Sequence, residues 1–234
     1  MALTFTITLN LIWIILAYLI GSINFSILLT ANSKDKENIK NVGSKNAGAT
    51  NAMRVYGWKF GLLVFILDTS KAFWFATILG LLQTYVPIFE NIIPQLATLF
   101  VIIGHIFPLL YNFKGGKGAA TLLGMIASIS LILAAIGALL FFIVVFSTKY
   151  VSLGSIVIPY ILVILSVINP FLNGWYDSAI HYGPYWISTL TLLIGTIIVT
   201  LTHRSNIKRL LNKTENKLNF SFIEKQKQKY VMTK

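Results

Sequence analysis

The amino-acid sequence predicts an all-α, polytopic membrane protein. Of the 234 residues, 56% are hydrophobic and only 11% are charged, and the mean hydropathy is +0.76. Several apolar runs reach the roughly 20 helical residues that cross about 30 Å of hydrocarbon. These runs are apolar all round a helix instead of on one face, which disfavours a soluble fold.

Six apolar runs are predicted to form the membrane helices. They cover residues 4–31, 58–86, 92–113, 119–147, 150–172 and 184–202. The N-terminus lacks the basic stretch of a secretory signal, so we expect the first run to remain as a span. The chain contains no cysteine, which excludes disulfides and thiolate metal sites.

The distribution of lysine and arginine predicts the orientation. Basic residues lie in the connectors 34–59, 114–117 and 204–234 and at position 149, whereas the connectors 83–91 and 169–186 have none. The positive-inside rule places the basic connectors and the C-terminus in the cytoplasm and the N-terminus outside. The net charge of +12 is then explained by topology and by anionic lipid headgroups, and nucleic acid is not an expected partner.

The run 119–147 raises a question of parity, because Lys117 and Lys149 flank it and both belong inside. Two short helices that turn near Ser128 and Ser130 solve this, and they bring the total to about seven transmembrane helices, two of them short or re-entrant. A rival solution keeps one span there and makes 150–172 re-entrant, with five crossings. Residues 1–203 are predicted to form one membrane-embedded domain, and residues 204–234 a basic cytoplasmic tail.

Four polar stretches fall on the cytoplasmic side of this topology. They read "VGSKNAGATN" (42–51), "FKGGKGAAT" (113–121), "YVSLGSI" (150–156) and "HRSNI" (203–207). Non-helical backbone at membrane depth needs protein or a water-filled cavity to satisfy it, so we expect one shared pocket. Glycine lets backbone N–H groups converge on an anion near a helix start, and Lys117 and Arg54 supply positive charge. The stretches therefore predict a phosphate-binding site.

Other interpretations apply to single features. The "GGKG" run alone is also typical of helix packing or a turn, and it is not a Walker A loop because Gly118 follows Lys117. Asp68 and Lys71, three apart in one span, are expected to pair, and His105 is expected to be a hydrogen-bonded interior histidine. No cluster of His, Asp and Glu has ligand spacing, so neither a metal nor a cofactor is expected.

Taken together, the motifs resemble the acyl-phosphate-dependent glycerol-3-phosphate acyltransferases of bacterial membranes. The resemblance runs from "GSINFSILL" (21–29) through the four stretches above and covers nearly the whole chain. The sequence departs from the family pattern at Lys45, where glycine is usual, at Asn24, where proline is usual, and at Ser205, where an acidic residue is common.

The resemblance implies transfer of an acyl group from acyl phosphate to the primary hydroxyl of glycerol 3-phosphate, which gives lysophosphatidic acid and inorganic phosphate. It implies catalytic roles for His203 and Ser44. It implies substrate contacts for Gly43, Asn46, Gly48, Thr50, Asn51, Arg54, Gly115, Gly116, Lys117, Gly118, Ser152, Ser155 and Asn206. It further implies the bacterial inner membrane with the site facing the cytoplasm, membrane lipid around it, and a soluble enzyme that produces the acyl phosphate.

Two questions of chemistry stay open at this point. A transporter of phosphate or a small phospho-ester would use the same cations, although the inverted repeat typical of transporters is not evident. The proton of the attacking hydroxyl has two candidate acceptors, His203 and a substrate phosphate. There is no cysteine nucleophile, and neither His105 nor His203 is followed five positions later by aspartate, so positioning and charge stabilisation are expected to carry the reaction.

Overall fold

The computed structural model describes residues 2–31, 37–167 and 185–218, and all regular structure in these ranges is helical. The helices are α1 (Ala2–Ser22), α2 (Phe25–Ala31), α3 (Ala49–Tyr56), α4 (Trp58–Tyr85), α5 (Pro94–Ile106), α6 (Ala119–Ile129), α7 (Leu131–Thr148), α8 (Val151–Ser166), α9 (Tyr185–Thr202) and α10 (Arg204–Leu211). Short 3-10 turns follow α4 at Pro87–Phe89 and α5 at Leu109–Tyr111.

Four segments are long and apolar enough to cross a membrane. They are most of α1, all of α4, α5 with the 3-10 turn after it, and α7. A fifth candidate joins α9 to α10 through a bend of 62°. Helices α6 and α8 are apolar but shorter. These findings confirm the predicted class, an all-α polytopic membrane protein.

The first predicted run, 4–31, is not one helix, because the backbone breaks at Asn24. The Oδ1 atom of Asn24 accepts hydrogen bonds from the Ile27 backbone N–H (3.1 Å) and the Ser26 hydroxyl (2.9 Å), which begins α2. Its Nδ2 atom donates to the carbonyl of Ala47 at 3.1 Å. The asparagine therefore both caps α2 and ties the α1–α2 break to the loop that contains the first motif.

The run 119–147 breaks at Ser130, close to the predicted turn. Ser130 has an extended backbone (φ −157°, ψ 119°) and its hydroxyl accepts from the Leu133 N–H, which caps α7. The two helices are unequal, since α6 has 11 residues and α7 has 18. The expectation of two short helices is therefore right for α6 and wrong for α7, which is about 27 Å long. The other short helix is α8, with 16 residues.

Glycines allow two pairs of membrane helices to approach closely. A Cβ atom on Gly21 of α1 would lie 2.3 Å from the Val101 carbonyl oxygen of α5, and one on Gly124 of α6 would lie 2.1 Å from the Thr69 carbonyl oxygen of α4. Small residues at such crossings are the usual means of close helix packing in lipid. The contacts fix α5 and α6, whose connecting loop contains the "GGKG" motif.

The predicted pair inside α4 is present. The Nζ atom of Lys71 lies 3.2 Å from Oδ1 of Asp68, and His105 of α5 lies against both residues. All three are buried. The prediction of His105 as an interior, hydrogen-bonded histidine is confirmed.

Candidate active site

A cluster of hydrogen-bonded polar side chains joins the loop before α6, the start of α8, and α10 with the segment after it. The Lys117 ammonium donates to Oδ1 of Asn206, and Nδ2 of Asn206 donates to Oε1 of Glu215 at 2.7 Å. The same carboxylate accepts from the Ser152 hydroxyl at 2.9 Å and from Nε of Arg209 at 2.7 Å. Three of the predicted site residues, Lys117, Ser152 and Asn206, are thus brought together.

The backbone around Lys117 is held from both sides. Gly115 and Gly116 donate their N–H groups to carbonyls of the last turn of α5, at 3.0 and 3.1 Å. The Thr202 hydroxyl donates to the Lys117 carbonyl at 2.9 Å. Gly118 has φ +88°, a left-handed conformation that favours glycine and lets the chain turn into α6. The motif therefore fixes Lys117 at the start of a helix, between α5 and α9.

Charge in the cluster is predominantly positive. Lys117 interacts electrostatically with Arg209, Glu215 and Arg54, and Arg54 with Glu215 and Arg209. The pKa of Lys117 is lowered to about 8, mainly by burial and also by the guanidiniums of Arg209 and Arg54, while Glu215 opposes them. For Glu215, burial alone would raise the pKa, but the hydrogen bonds that it accepts outweigh burial and hold the pKa below its ordinary value. Three cations and one carboxylate leave two net positive charges.

His203 lies at the junction of α9 and α10 and is 5% exposed. Its Nδ1 atom is 2.8 Å from the Val199 carbonyl oxygen, so this nitrogen holds a proton and donates it. Burial lowers the pKa of His203 to about 4, with the Val199 hydrogen bond opposing and the nearby Lys117 assisting. At neutral pH the ring is therefore uncharged, and its Nε2 atom is a hydrogen-bond acceptor.

The first motif folds around the amide of Asn51, which is 1% exposed. Its Oδ1 atom accepts from the Ser44 N–H at 2.8 Å, and its Nδ2 atom donates to the Val42 carbonyl at 3.0 Å. Gly43 and Lys45 both have left-handed backbone, at φ 62° and 57°. The amide thus holds the loop together, and Ser44 is left exposed.

The remaining residues of the first motif lie between that loop and the cluster. The Asn46 carbonyl accepts from the Gly48 N–H at 3.0 Å, which leads into α3. Thr50 and Arg54 lie one turn apart on α3 and are half-buried. The Nη2 atom of Arg54 donates to the Asn216 carbonyl at 3.2 Å, which joins the first motif to the segment that contains Glu215.

Ser155 lies outside the hydrogen-bonded cluster. Its hydroxyl donates to the Val151 carbonyl of its own helix at 3.1 Å, whereas Ser152, one turn earlier on α8, reaches Glu215. A serine that bonds back to its own helix satisfies its hydroxyl donor there.

Sequence reasoning missed Arg209 and Glu215. The available signal was weak: Glu215 is the one acidic residue among five basic ones in residues 204–218. An isolated carboxylate in a basic segment has many possible partners, and the sequence does not indicate that it folds back onto α8.

Comparison with known proteins gives a consistent result. The family model for glycerol-3-phosphate acyltransferase matches residues 11–213. A glycerol-3-phosphate acyltransferase of Mycoplasma mobile is 49% identical over 224 residues, which covers 91% of this chain and 93% of the relative. Glycerol-3-phosphate acyltransferase 2 of Bacillus anthracis is 40% identical, with 89% and 99% covered.

Solved structures of PlsY (YgiH), an integral membrane glycerol 3-phosphate acyltransferase, have a similar fold. The glycerol 3-phosphate form superposes with a TM-score of 0.74 and 29% identity over 90% of this chain and 96% of PlsY. The lysophosphatidic acid form gives 0.72 over 90% and 95%. With a family model that matches most of its length, this chain belongs to the glycerol-3-phosphate acyltransferase family and is a bacterial integral membrane acyltransferase.

Proposed function

We propose that the cluster around Lys117 is the site where an acyl group passes from acyl phosphate to the primary hydroxyl of glycerol 3-phosphate. The observation that carries the proposal is the excess of two positive charges where Lys117, Arg54 and Arg209 surround Glu215. That excess matches a phosphate monoester, which has close to two negative charges near neutral pH. The glycerol 3-phosphate and lysophosphatidic acid forms of PlsY support the same substrate and product. The acyltransferase relatives favour this reaction over transport.

In the proposal, the predicted residues divide between the two phosphates. Lys117 and Arg54 neutralise the phosphate of glycerol 3-phosphate, since both contribute to the positive cluster, and Asn206 and Ser152 line the same region. The acyl phosphate is assigned to exposed and half-buried groups of the first motif, which are Gly43, Ser44, Asn46, Gly48 and Thr50, and to the backbone at Gly118. Gly115 and Gly116 shape the loop instead of binding the anion through their N–H groups, because those groups already donate to carbonyls of α5. Asn51 supports the first loop, and Ser155 lies at the edge on α8.

The reaction needs no covalent enzyme intermediate. The primary hydroxyl oxygen attacks the acyl carbonyl carbon, a new ester C–O bond forms, and the C–O bond to phosphate breaks with release of inorganic phosphate. The hydroxyl proton passes to a substrate phosphate oxygen, whose pKa lies near 6 in phosphate monoesters. His203 has a pKa of about 4, so it orients the hydroxyl through Nε2 instead of keeping the proton. Positioning and charge account for the rate.

The proposed setting is the bacterial inner membrane, with the site and the C-terminus facing the cytoplasm and the N-terminus outside. The proposal keeps about seven membrane helices and a catalytic domain of residues 1–203. Residues 204–234 form the basic tail, which contributes Asn206, Arg209 and Glu215 to the site. A cytoplasmic site gives access to a soluble enzyme that supplies acyl phosphate.

The test is phosphate release by purified protein in detergent. We expect release from acyl phosphate only when glycerol 3-phosphate is present, with equimolar lysophosphatidic acid, and no product from acyl-CoA. An exposed lysine in the same loop, Lys114, provides a control variant, Lys114→Ala, that should retain activity. Phosphate release independent of glycerol 3-phosphate, or vigorous turnover of acyl-CoA, would contradict the proposal.

A further inference from the structure

We propose that Asp68, Lys71 and His105 form a positioning unit that holds the "GGKG" loop and, through it, Lys117. The unit lies inside the helix bundle, and its contacts run from the α1–α2 break to the backbone of Gly116. The inference rests on the proposed phosphate contact of Lys117 and explains how that contact is kept in place.

The burial of these groups needs an explanation. Asp68 is 1% exposed, Lys71 9% and His105 2%, and Asp68 and Lys71 belong to a helix long enough to span the membrane. Ionisable side chains inside membrane helices cost free energy. They mark functional sites more often than they serve helix packing. An apolar contact between α4 and α5 would hold the two helices together without that cost.

Lys71 connects three elements. Its ammonium donates to the carbonyls of Gly21 and Ile23 at 3.0 and 2.8 Å, where α1 ends. It also lies 3.2 Å from the Asp68 carboxylate and 3.0 Å from Nδ1 of His105. Nδ1 of His105 also lies 3.4 Å from Oδ1 of Asp68, so both members of the α4 ion pair contact the same ring nitrogen. The ring is thereby fixed in one orientation.

His105 transmits that orientation to the loop. Its carbonyl accepts the Gly116 N–H at 3.1 Å, and a Cβ atom on Gly116 would lie 2.1 Å from Nε2 of the ring. A Cβ on Gly115 would lie 2.1 Å from the His105 carbonyl oxygen. The loop therefore lies directly on the histidine, without room for a side chain, and the next residue is Lys117. A displaced His105 ring would therefore displace the ammonium of Lys117.

A double-mutant cycle between His105 and Lys117 tests the inference. We expect His105→Leu to raise the KM for glycerol 3-phosphate about 10-fold, the loss of one buried hydrogen-bonded contact. His105→Asn places an amide where Nδ1 was and should restore the KM to within about 3-fold. In the Lys117→Ala background His105→Leu should add nothing, because coupled residues are not additive.

Two further measurements separate positioning from general destabilisation. Hydrogen exchange of the 113–118 backbone should accelerate in His105→Leu but not in Thr98→Val, a near-isosteric change at a buried site on the same helix. The double variant Asp68→Asn/Lys71→Met leaves no unpaired buried charge, so it should fold. It should nevertheless show the same raised KM and faster exchange as His105→Leu.

The outcomes distinguish the two proposals. Additive effects of His105→Leu and Lys117→Ala, or unchanged exchange of the loop in His105→Leu, would overturn the positioning unit. A normal KM in Lys117→Ala alone would instead refute the phosphate contact, and the exchange data would still decide whether His105 holds the loop.

Discussion

Lys117 is the residue at which the proposed chemistry is most directly testable. Its ammonium is half-buried, bonded to Asn206 and close to two guanidiniums. Lys117→Ala should remove a charge-assisted contact worth about 1.5 to 3 kcal/mol, and so raise the KM for glycerol 3-phosphate by about 10-fold to 150-fold. Steady-state kinetics on folded, membrane-inserted protein measure this.

Two companion variants sharpen that prediction. Lys117→Arg should rescue only in part, because the planar guanidinium is bulkier than an ammonium and must fit between Gly116 and Gly118. Lys114→Ala, at the exposed lysine of the same loop, should leave the KM unchanged. Full rescue by arginine, with unaltered kinetics in Lys117→Ala, would mean that Lys117 only marks the cytoplasmic side of the membrane.

The pKa of Lys117, about 8 in the free site, predicts a pH dependence. A lysine is cationic below its pKa, so the contact is present at pH 7 and is lost as the pH rises through 8. The KM for glycerol 3-phosphate should therefore rise about 10-fold between pH 7 and pH 9. In Lys117→Arg the rise should be absent, since arginine stays protonated throughout this range. A rise of equal size in both proteins would assign the titration to another group.

The backbone at Lys45 explains one departure from the family pattern. Its φ of 57° is left-handed, a conformation that glycine adopts without strain and other residues only at a cost. Glycine is therefore the expected residue there, and lysine is tolerated because neighbouring Asn51 and Gly43 hold the loop.

By contrast, Glu215 was not predictable, because its partners on α8 and α10 are set by tertiary contacts.

Among the helices, the close approach of α4 and α6 requires glycine at position 124. Gly124→Ala would place a Cβ atom 2.1 Å from the Thr69 carbonyl oxygen, and backbone cannot move aside cheaply, so we expect a loss of about 1 to 3 kcal/mol in the free energy of unfolding. The loss is measured as a lower unfolding temperature in detergent.

Gly137→Ala is the matched control for that crossing. The nearest atom to its added Cβ is Cδ1 of Leu162, at 2.6 Å, the far end of a side chain that can change rotamer. Both substitutions gain the same helix propensity, about 1 kcal/mol, so their difference reports packing alone. Equal unfolding temperatures for the two variants would show that the α4–α6 crossing adapts to a larger residue.

The sequence predicted helices well where a long apolar run is bounded by glycine, proline or polar residues. The run 58–86 became α4, Trp58–Tyr85, and the described part of 184–202 became α9. The break at Asn24 was missed because one polar residue hardly changes local hydropathy, and its other contact is with the Ala47 carbonyl, 23 residues away. The turn near Ser130 was predicted, but the full length of α7 was missed because the run was expected to divide into two helices of similar length.

For the molecule as a whole, the proposed orientation predicts which positions can be labelled from outside the cell. Cysteines introduced at Glu90 and Asn173 should react with an impermeant reagent added from outside, whereas cysteines at Asn38, Lys114 and Thr148 should not. Asn173 lies outside the described residues, and the other four lie in or beside connectors. Labelling is measured on intact cells, with permeabilised cells to show that every cysteine can react.

Position 148 separates the two topologies that parity allows. The seven-helix solution keeps Lys117 and Lys149 both inside, because α6 and α7 return to the starting side, whereas the five-crossing solution keeps 119–147 as one span and so places Lys149 outside. External labelling at Thr148 would therefore remove the seven-helix arrangement.

The ion pair of α4 also has a consequence for the order in which the chain is made. Synthesis runs from the N-terminus, so the carbonyls of Gly21 and Ile23 leave the ribosome about 50 residues before Lys71, which bonds to them. His105 follows 34 residues later. Lys71 is therefore synthesised after both of its carbonyl acceptors. His105, which contacts the glycine loop, is the last of its partners to be synthesised. The charged interior can therefore assemble before the proposed site is complete, because Ser152, Asn206 and Glu215 are synthesised only later.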